Sequence, residues 1–217
     1  FKNWTNKKDN LFVLYDIRKD KIPYDDNTID NIYISHVMEH LEDIYISKVF
    51  KESFRVLKKN GVLRISVPDA KFLFNVSLFD NTYWTWRTYW FNDENHGIEG
   101  VDLQSIKQEE YFIKEIATPK SKYYKNRIKD KSIKLELDKN KYTDILEKLV
   151  SDLNFRDEFP GDHINYWDFD KVFKLGNEIG FKHIVESKYQ GSISEKMRTK
   201  EFDLKAPMMS LYVDLVK

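Results

Sequence analysis

Two apolar, strand-like runs, Ile29–Ser35 and Val62–Val67, bracket one long amphipathic stretch between Val37 and Lys58. Within it Leu41, Ile44, Val49, Phe50, Phe54 and Leu57 fall on or near one face of a helix. Glu39, Glu42 and Asp43 lie early in that helix and Lys58 and Lys59 late, as its dipole prefers. Strand, helix, strand in that order is one repeat of an open α/β sheet. Such a sheet binds ligands at the carboxyl ends of its strands. Asn60-Gly61 predicts the left-handed end of the helix. Pro68 stops the second strand, and Asp69 is placed to cap a further helix running to about Phe79.

The alternation extends on both sides. Leu11–Tyr15 reads as a buried strand ending at Asp16, and Pro23 with Asp25-Asp26-Asn27 marks the loop after it. Residues 80–160 interrupt the pattern. They open with an aromatic block from Tyr83 to Phe91 and contain two helical stretches, 105–117 and 141–153. Between these, residues 119–141 carry nine Lys or Arg against three Asp or Glu. The whole reads as a mostly helical insertion or lid within one domain spanning residues 1–217. Regular structure resumes with a helix carrying Phe169, Val172, Phe173, Leu175 and Ile179 and ending at Gly180. Strands at Lys182–Tyr189 and Ser210–Val216 follow, the second with Leu211, Val213 and Leu215 alternating.

Composition removes whole classes of function. With no cysteine, the 217-residue chain has no disulfide, no thiolate metal site and no cysteine nucleophile. A formal net charge of zero gives no overall pull toward nucleic acid or anionic lipid. No run approaches the roughly 18 apolar residues of a membrane span, and no signal-peptide pattern opens the chain, so the default expectation is a cytoplasmic protein.

Three motifs carry more specific information. Asp16-Ile17 leads into Lys21-Ile-Pro-Tyr-Asp-Asp, then comes Ser35-His36-Val-Met-Glu39-His40-Leu41, then Arg55-Val-Leu-Lys-Lys-Asn-Gly-Val-Leu-Arg-Ile-Ser-Val-Pro-Asp69. Together they resemble the class I S-adenosylmethionine-dependent methyltransferases, in particular the type 11-like group. The element Asp162-His163-Ile-Asn-Tyr-Trp167-Asp168 and the closing Ser210–Lys217 resemble the same family. The resemblance implies an α/β, Rossmann-like class I methyltransferase sheet with helices on both faces and S-adenosylmethionine as cofactor. It implies that the Asp16 carboxylate accepts from the adenine amino group, that the Ile17 backbone N–H meets the ring, and that Ser35 and His36 lie near the sulfonium. His163, in a loop over the crevice, and His36 are the expected bases for a hydroxyl acceptor. For His40 a structural role is expected. The expected acceptor is a small molecule or a sugar.

Rival readings follow from the same residues. His36-Val-Met-Glu39-His40 matches H-x-x-E-H, a zinc-peptidase pattern. That chemistry needs His36 inside a helix and a third ligand. Ile32–Ser35 reads as strand and no third ligand stands out, so no metal is assigned. RNA is a weaker alternative resting on the basic stretch 119–141. A non-catalytic methyltransferase-like binding module is the rival from another class, because no glycine occurs before Gly61 and the glycine-rich cofactor loop is not present. In the family's sheet two further strands lie between the one ending at Asp16 and the one ending at Ser35. The expectation is therefore that these strands precede Phe1 in a longer chain, or that the cofactor site is degenerate.

Overall fold

In a computed structural model, the structure describes residues 16–79, 82–83, 108–117 and 137–217. The expected strand Leu11–Tyr15, nearly all of the aromatic block and most of the basic stretch lie outside the described residues. Four strands form a mixed sheet: β1 (Ile29–Ser35), β2 (Leu57–Pro68), β3 (His183–Ser187) and β4 (Ser210–Val216), in the order β1-β2-β4-β3. β1 and β2 are parallel, as the strand–helix–strand reading requires. β4 runs antiparallel to both β2 and β3.

The link between β1 and β2 departs from the single long helix expected. A one-turn 3₁₀ segment, Met38–His40, is followed by extended backbone at Leu41 and Glu42, and helix α1 covers only Asp43–Val56. Asn165 is the physical reason. Its Nδ2 donates to the Leu41 carbonyl (2.9 Å) and to Asp43 Oδ1 (2.8 Å), satisfying the backbone where the helix is interrupted. The other end differs too. Asn60 is left-handed (φ 64°), but it belongs to β2, which begins at Leu57 and slips register against β1 before regular pairing from Val62. Helix α2 (Ala70–Phe79) is as expected, with Asp69 Oδ1 accepting from the Phe72 N–H at 3.0 Å.

The helical stretches of the insertion are α3 (Gln108–Ile116) and α4 (Tyr142–Val150). They pack with α2 into a core of their own around Leu73, Phe74, Phe112, Ile113 and Leu146. Helix α5 (Phe169–Ile179) is capped by Asp168 and closed by Gly180 at φ 107°. α1 and α5 cover one sheet face, burying Ile65, Val213, Leu215, Phe50 and Val172. Gly176 lets α5 come close, because a Cβ there would stand 2.5 Å from Leu215 Cδ2.

The opposite face is covered by residues 188–206. Here Arg64 is fully buried, as are Asp203 and Asp214. The guanidinium donates to both carboxylates, with Nη1 3.1 Å from each Asp214 oxygen. Backbone N–H groups of Gln190 and Ile193 and the hydroxyls of Ser192 and Tyr33 also donate to the two carboxylates. A buried double ion pair thus pins an irregular segment onto the sheet.

Candidate active site

Where β1 ends, the chain turns sharply. His36 takes a left-handed conformation (φ 50°), and its N–H donates to the Ser66 carbonyl at the end of β2 (2.7 Å). The turn throws the 3₁₀ segment across the carboxyl ends of the two parallel strands. The loop 162–168 then closes over it. The Glu39 carbonyl accepts from Ile164 N–H (2.8 Å) and Asn165 N–H (3.1 Å), and the Asp69–Trp167 bridge fixes the far end of that loop. His163 is thereby brought over Glu39 and His40.

The result is a cluster of three imidazoles around one carboxylate. Glu39 is 2% exposed, and neither of its oxygens has an aligned hydrogen-bond donor. His36 Nδ1 lies 3.2 Å from Glu39 Oε1 and His40 Nε2 lies 3.7 Å from it. The His40 and His163 rings meet edge to face, with centroids 5.0 Å apart. His40 Nδ1 is 2.9 Å from the Asp162 carbonyl, and His163 Nδ1 is 2.7 Å from the Glu115 carbonyl. His36 Nε2 is 2.9 Å from Ser210 Oγ, at the start of β4. Burial works to push Glu39 up, but the contact with His36 and the charges of His163, His36 and His40 outweigh it, and the net shift is below the ordinary range. Burial pushes His40 down, against the pull of the Glu39 charge.

Asp16 and Ile17 lie in a turn whose carbonyl at Asp16 accepts from Lys19 N–H (2.9 Å) and Asp20 N–H (2.8 Å). Arg18 grips the Asp16 carboxylate through Nε (3.0 Å) and Nη2 (2.8 Å), and these hydrogen bonds hold it well below the usual carboxylate range. The same guanidinium sits 4.1 Å over the Phe155 ring, and Phe155 N–H donates to Glu42 Oε1 (2.9 Å) just ahead of α1. That chain of contacts ties the Asp16 turn to the start of α1. Ser66 Oγ, on the strand paired with Ser35, is buried with no hydrogen-bond partner.

Of the residues expected at the site, Ser35 ends β1 and His36 makes the turn after it, while Asp16 and Ile17 lie in a separate turn linked to the start of α1 through Arg18 and Phe155. The fifth, His163, shares a cluster with His36. Glu39 and His40 complete the cluster, His40 having been expected in a structural role and Glu39 only within a metal pattern that was set aside. The signal was present as H-x-x-E-H, and the third histidine arrives from a loop far along the chain.

The comparisons with known proteins agree with the motifs. Residues 2–65 match the family model described as a methyltransferase domain. No curated protein matches the chain. Among solved structures it is similar to a SAM-dependent methyltransferase from Archaeoglobus fulgidus at 9% identity and a TM-score of 0.41. That overlap covers 94% of this chain and 66% of the archaeal one. So loose a superposition supports no inference by itself, and the chain spans less than two thirds of that protein. The matched residues contain the Asp16 turn, all of β1, the 3₁₀ segment, α1 and the start of β2. Residues 2–65 of this chain are thus similar to the methyltransferase domain family.

Proposed function

We propose that the protein is an S-adenosylmethionine-dependent methyltransferase acting on a hydroxyl group of a small molecule or sugar. The observation that carries this reading is the family match over residues 2–65, which contain Asp16, Ile17, Ser35 and His36. The side chains present fit the cofactor. Asp16 is an ionised, acceptor-only group with lone pairs left over after Arg18 has been served, suited to an amino donor. Ser66 Oγ is an unused polar atom at the strand end.

When bound, the cofactor supplies a methyl group activated by a sulfonium. Asp16, Ile17, Ser35 and His36 would hold the cofactor, and its methyl group would go to the acceptor oxygen. The hydroxyl proton has to go to the protein. His163 and His36 are the residues we assign to that task, because both stand in the cluster at the strand ends. His163 has its Nδ1 against a carbonyl, which leaves Nε2 with a lone pair to accept the proton. The protein's larger contribution is alignment and exclusion of water. We assign the acceptor side to the insertion at residues 80–160, whose described helices α3 and α4 pack with α2. Among the described residues no helix is long and apolar enough to cross a membrane.

The test is calorimetry with S-adenosylhomocysteine. Saturable binding near one equivalent, displaced by S-adenosylmethionine, is expected. Absence of saturable binding overturns the reading.

A further inference from the structure

Glu39, His40 and His163 face one another without a proton between them. The Asp162 and Glu115 backbone carbonyls can only accept, so Nδ1 of His40 and of His163 must each carry the proton that the hydrogen bond uses. Their Nε2 atoms are left as lone pairs. The Glu39 carboxylate is likewise acceptor-only when ionised; His36 Nδ1 stands 3.2 Å from Oε1 without hydrogen-bond alignment, and Oε2 is buried with no partner. One ligand atom from each of the three residues lies within 4.8 Å of the other two. Three mutually facing acceptors at the edge of a core repel unless something positive sits among them.

A cation satisfies all three at once. Two neutral imidazoles and one carboxylate are a donor set for a divalent transition ion, and three protein ligands leave a position open. The hydrogen bonds from both Nδ1 groups to backbone carbonyls are the outer contacts that orient metal-bound histidines and raise their basicity. Ligands about 2.1 Å from a shared ion lie roughly 3.4 Å apart, so closing around it requires shifts of about an ångström. The rings sit on a short 3₁₀ turn and a loop, which can supply that movement.

We propose that Glu39, His40 and His163 bind a divalent first-row transition cation, with at least one coordination position open to an oxygen ligand. The binding rests on these side chains alone. Its catalytic meaning rests on the methyl-transfer reading above. There, an acceptor hydroxyl held at the open position is a stronger acid; with the ion on the His163 Nε2 lone pair, His163 is a ligand and the proton falls to His36 alone.

The experiment uses the full chain, stripped with a chelator and titrated with Co²⁺ alone, followed by calorimetry and visible d–d absorbance. One equivalent of uptake with a d–d band is expected. His163→Gln and Glu39→Gln should each weaken it by about 100-fold or more, while His183→Gln, on an exposed strand position, retains it. Circular dichroism reports whether each variant is folded. Should Glu39→Gln fail to fold, His163→Gln at a half-buried loop position decides. No saturable uptake, or uptake unchanged in folded His163→Gln, overturns the proposal. S-adenosylhomocysteine titrated into the same preparation separates the two readings. Cobalt uptake without nucleoside binding leaves the metal site standing and removes the methyl-transfer reading, and the converse removes only the metal site.

Discussion

Arg64 and Asp203 meet in a two-pronged ion pair closed to water, with Nη2 2.6 Å from Oδ2 and Nε 3.0 Å from Oδ1 and both side chains fully buried. Replacing Arg64 by Met leaves Asp203 and Asp214 as uncompensated buried charges. The expected cost is about 3–5 kcal/mol of folding stability, read from urea unfolding. A loss under about 1 kcal/mol would mean that water reaches the pair. Adding Asp214→Asn to Arg64→Met should recover part of the loss, since the two sites share one interaction.

Gly61 is crowded by backbone. A Cβ there would stand 2.9 Å from the Lys58 carbonyl oxygen and 3.1 Å from that of Asp30, at the point where β2 slips against β1. Neither atom can swing aside as a side chain could. Gly61→Ala should destabilise by about 1–3 kcal/mol, even though alanine ordinarily restricts the unfolded chain and helps. A neutral or stabilising result in thermal unfolding would show that the irregularity relaxes.

Asp69 caps α2 from a half-buried position, and desolvation pushes its carboxyl above the ordinary range. A carboxyl whose folded pKa is raised favours the folded state when protonated, and that contribution is lost as pH rises through the folded value. Asn caps equally well without a charge. Asp69→Asn should therefore gain on the natural protein as pH climbs through the carboxylate range to neutrality, and lose that advantage in acid. A pH-independent difference in unfolding free energy would sink this account.

The Asp16 turn and the His163 loop should separate in their effects. Asp16→Ala removes the acceptor assigned to the adenine amine and should weaken S-adenosylhomocysteine binding about 10-fold or more. His163→Ala should leave that affinity nearly unchanged and lower turnover by about 100-fold. Equal losses of affinity in both variants would assign His163 to binding.

The local punctuation was readable from the sequence. Gly180 marks the end of α5, Asp69 marks the start of α2, and the alternation at Leu211, Val213 and Leu215 gives β4. What resisted was decided by partners far along the chain. The break at Leu41 depends on Asn165, whose role no local pattern reveals. No local pattern singles out Arg64 and Asp214 as buried partners, because their burial follows from the irregular cover of residues 188–206. At the site, Asp16, Ser35 and His36 were legible as candidates through motif wording. The cluster with Glu39 and His40 was not, since pattern matching asked for a helix where the fold uses a left-handed residue and a single 3₁₀ turn.

β4 carries a consequence for the order of events during synthesis. It lies between β2 and β3, and its first residue, Ser210, meets His36 at the site. Residues 29–68 can pair as soon as they leave the ribosome, but β3 has no partner until residues 210–216 have also emerged. The sheet and its histidine cluster are therefore completed late, by contacts of long sequence separation. Such contacts are slow to form, and they leave an edge of β2 open to wrong pairing in the meantime.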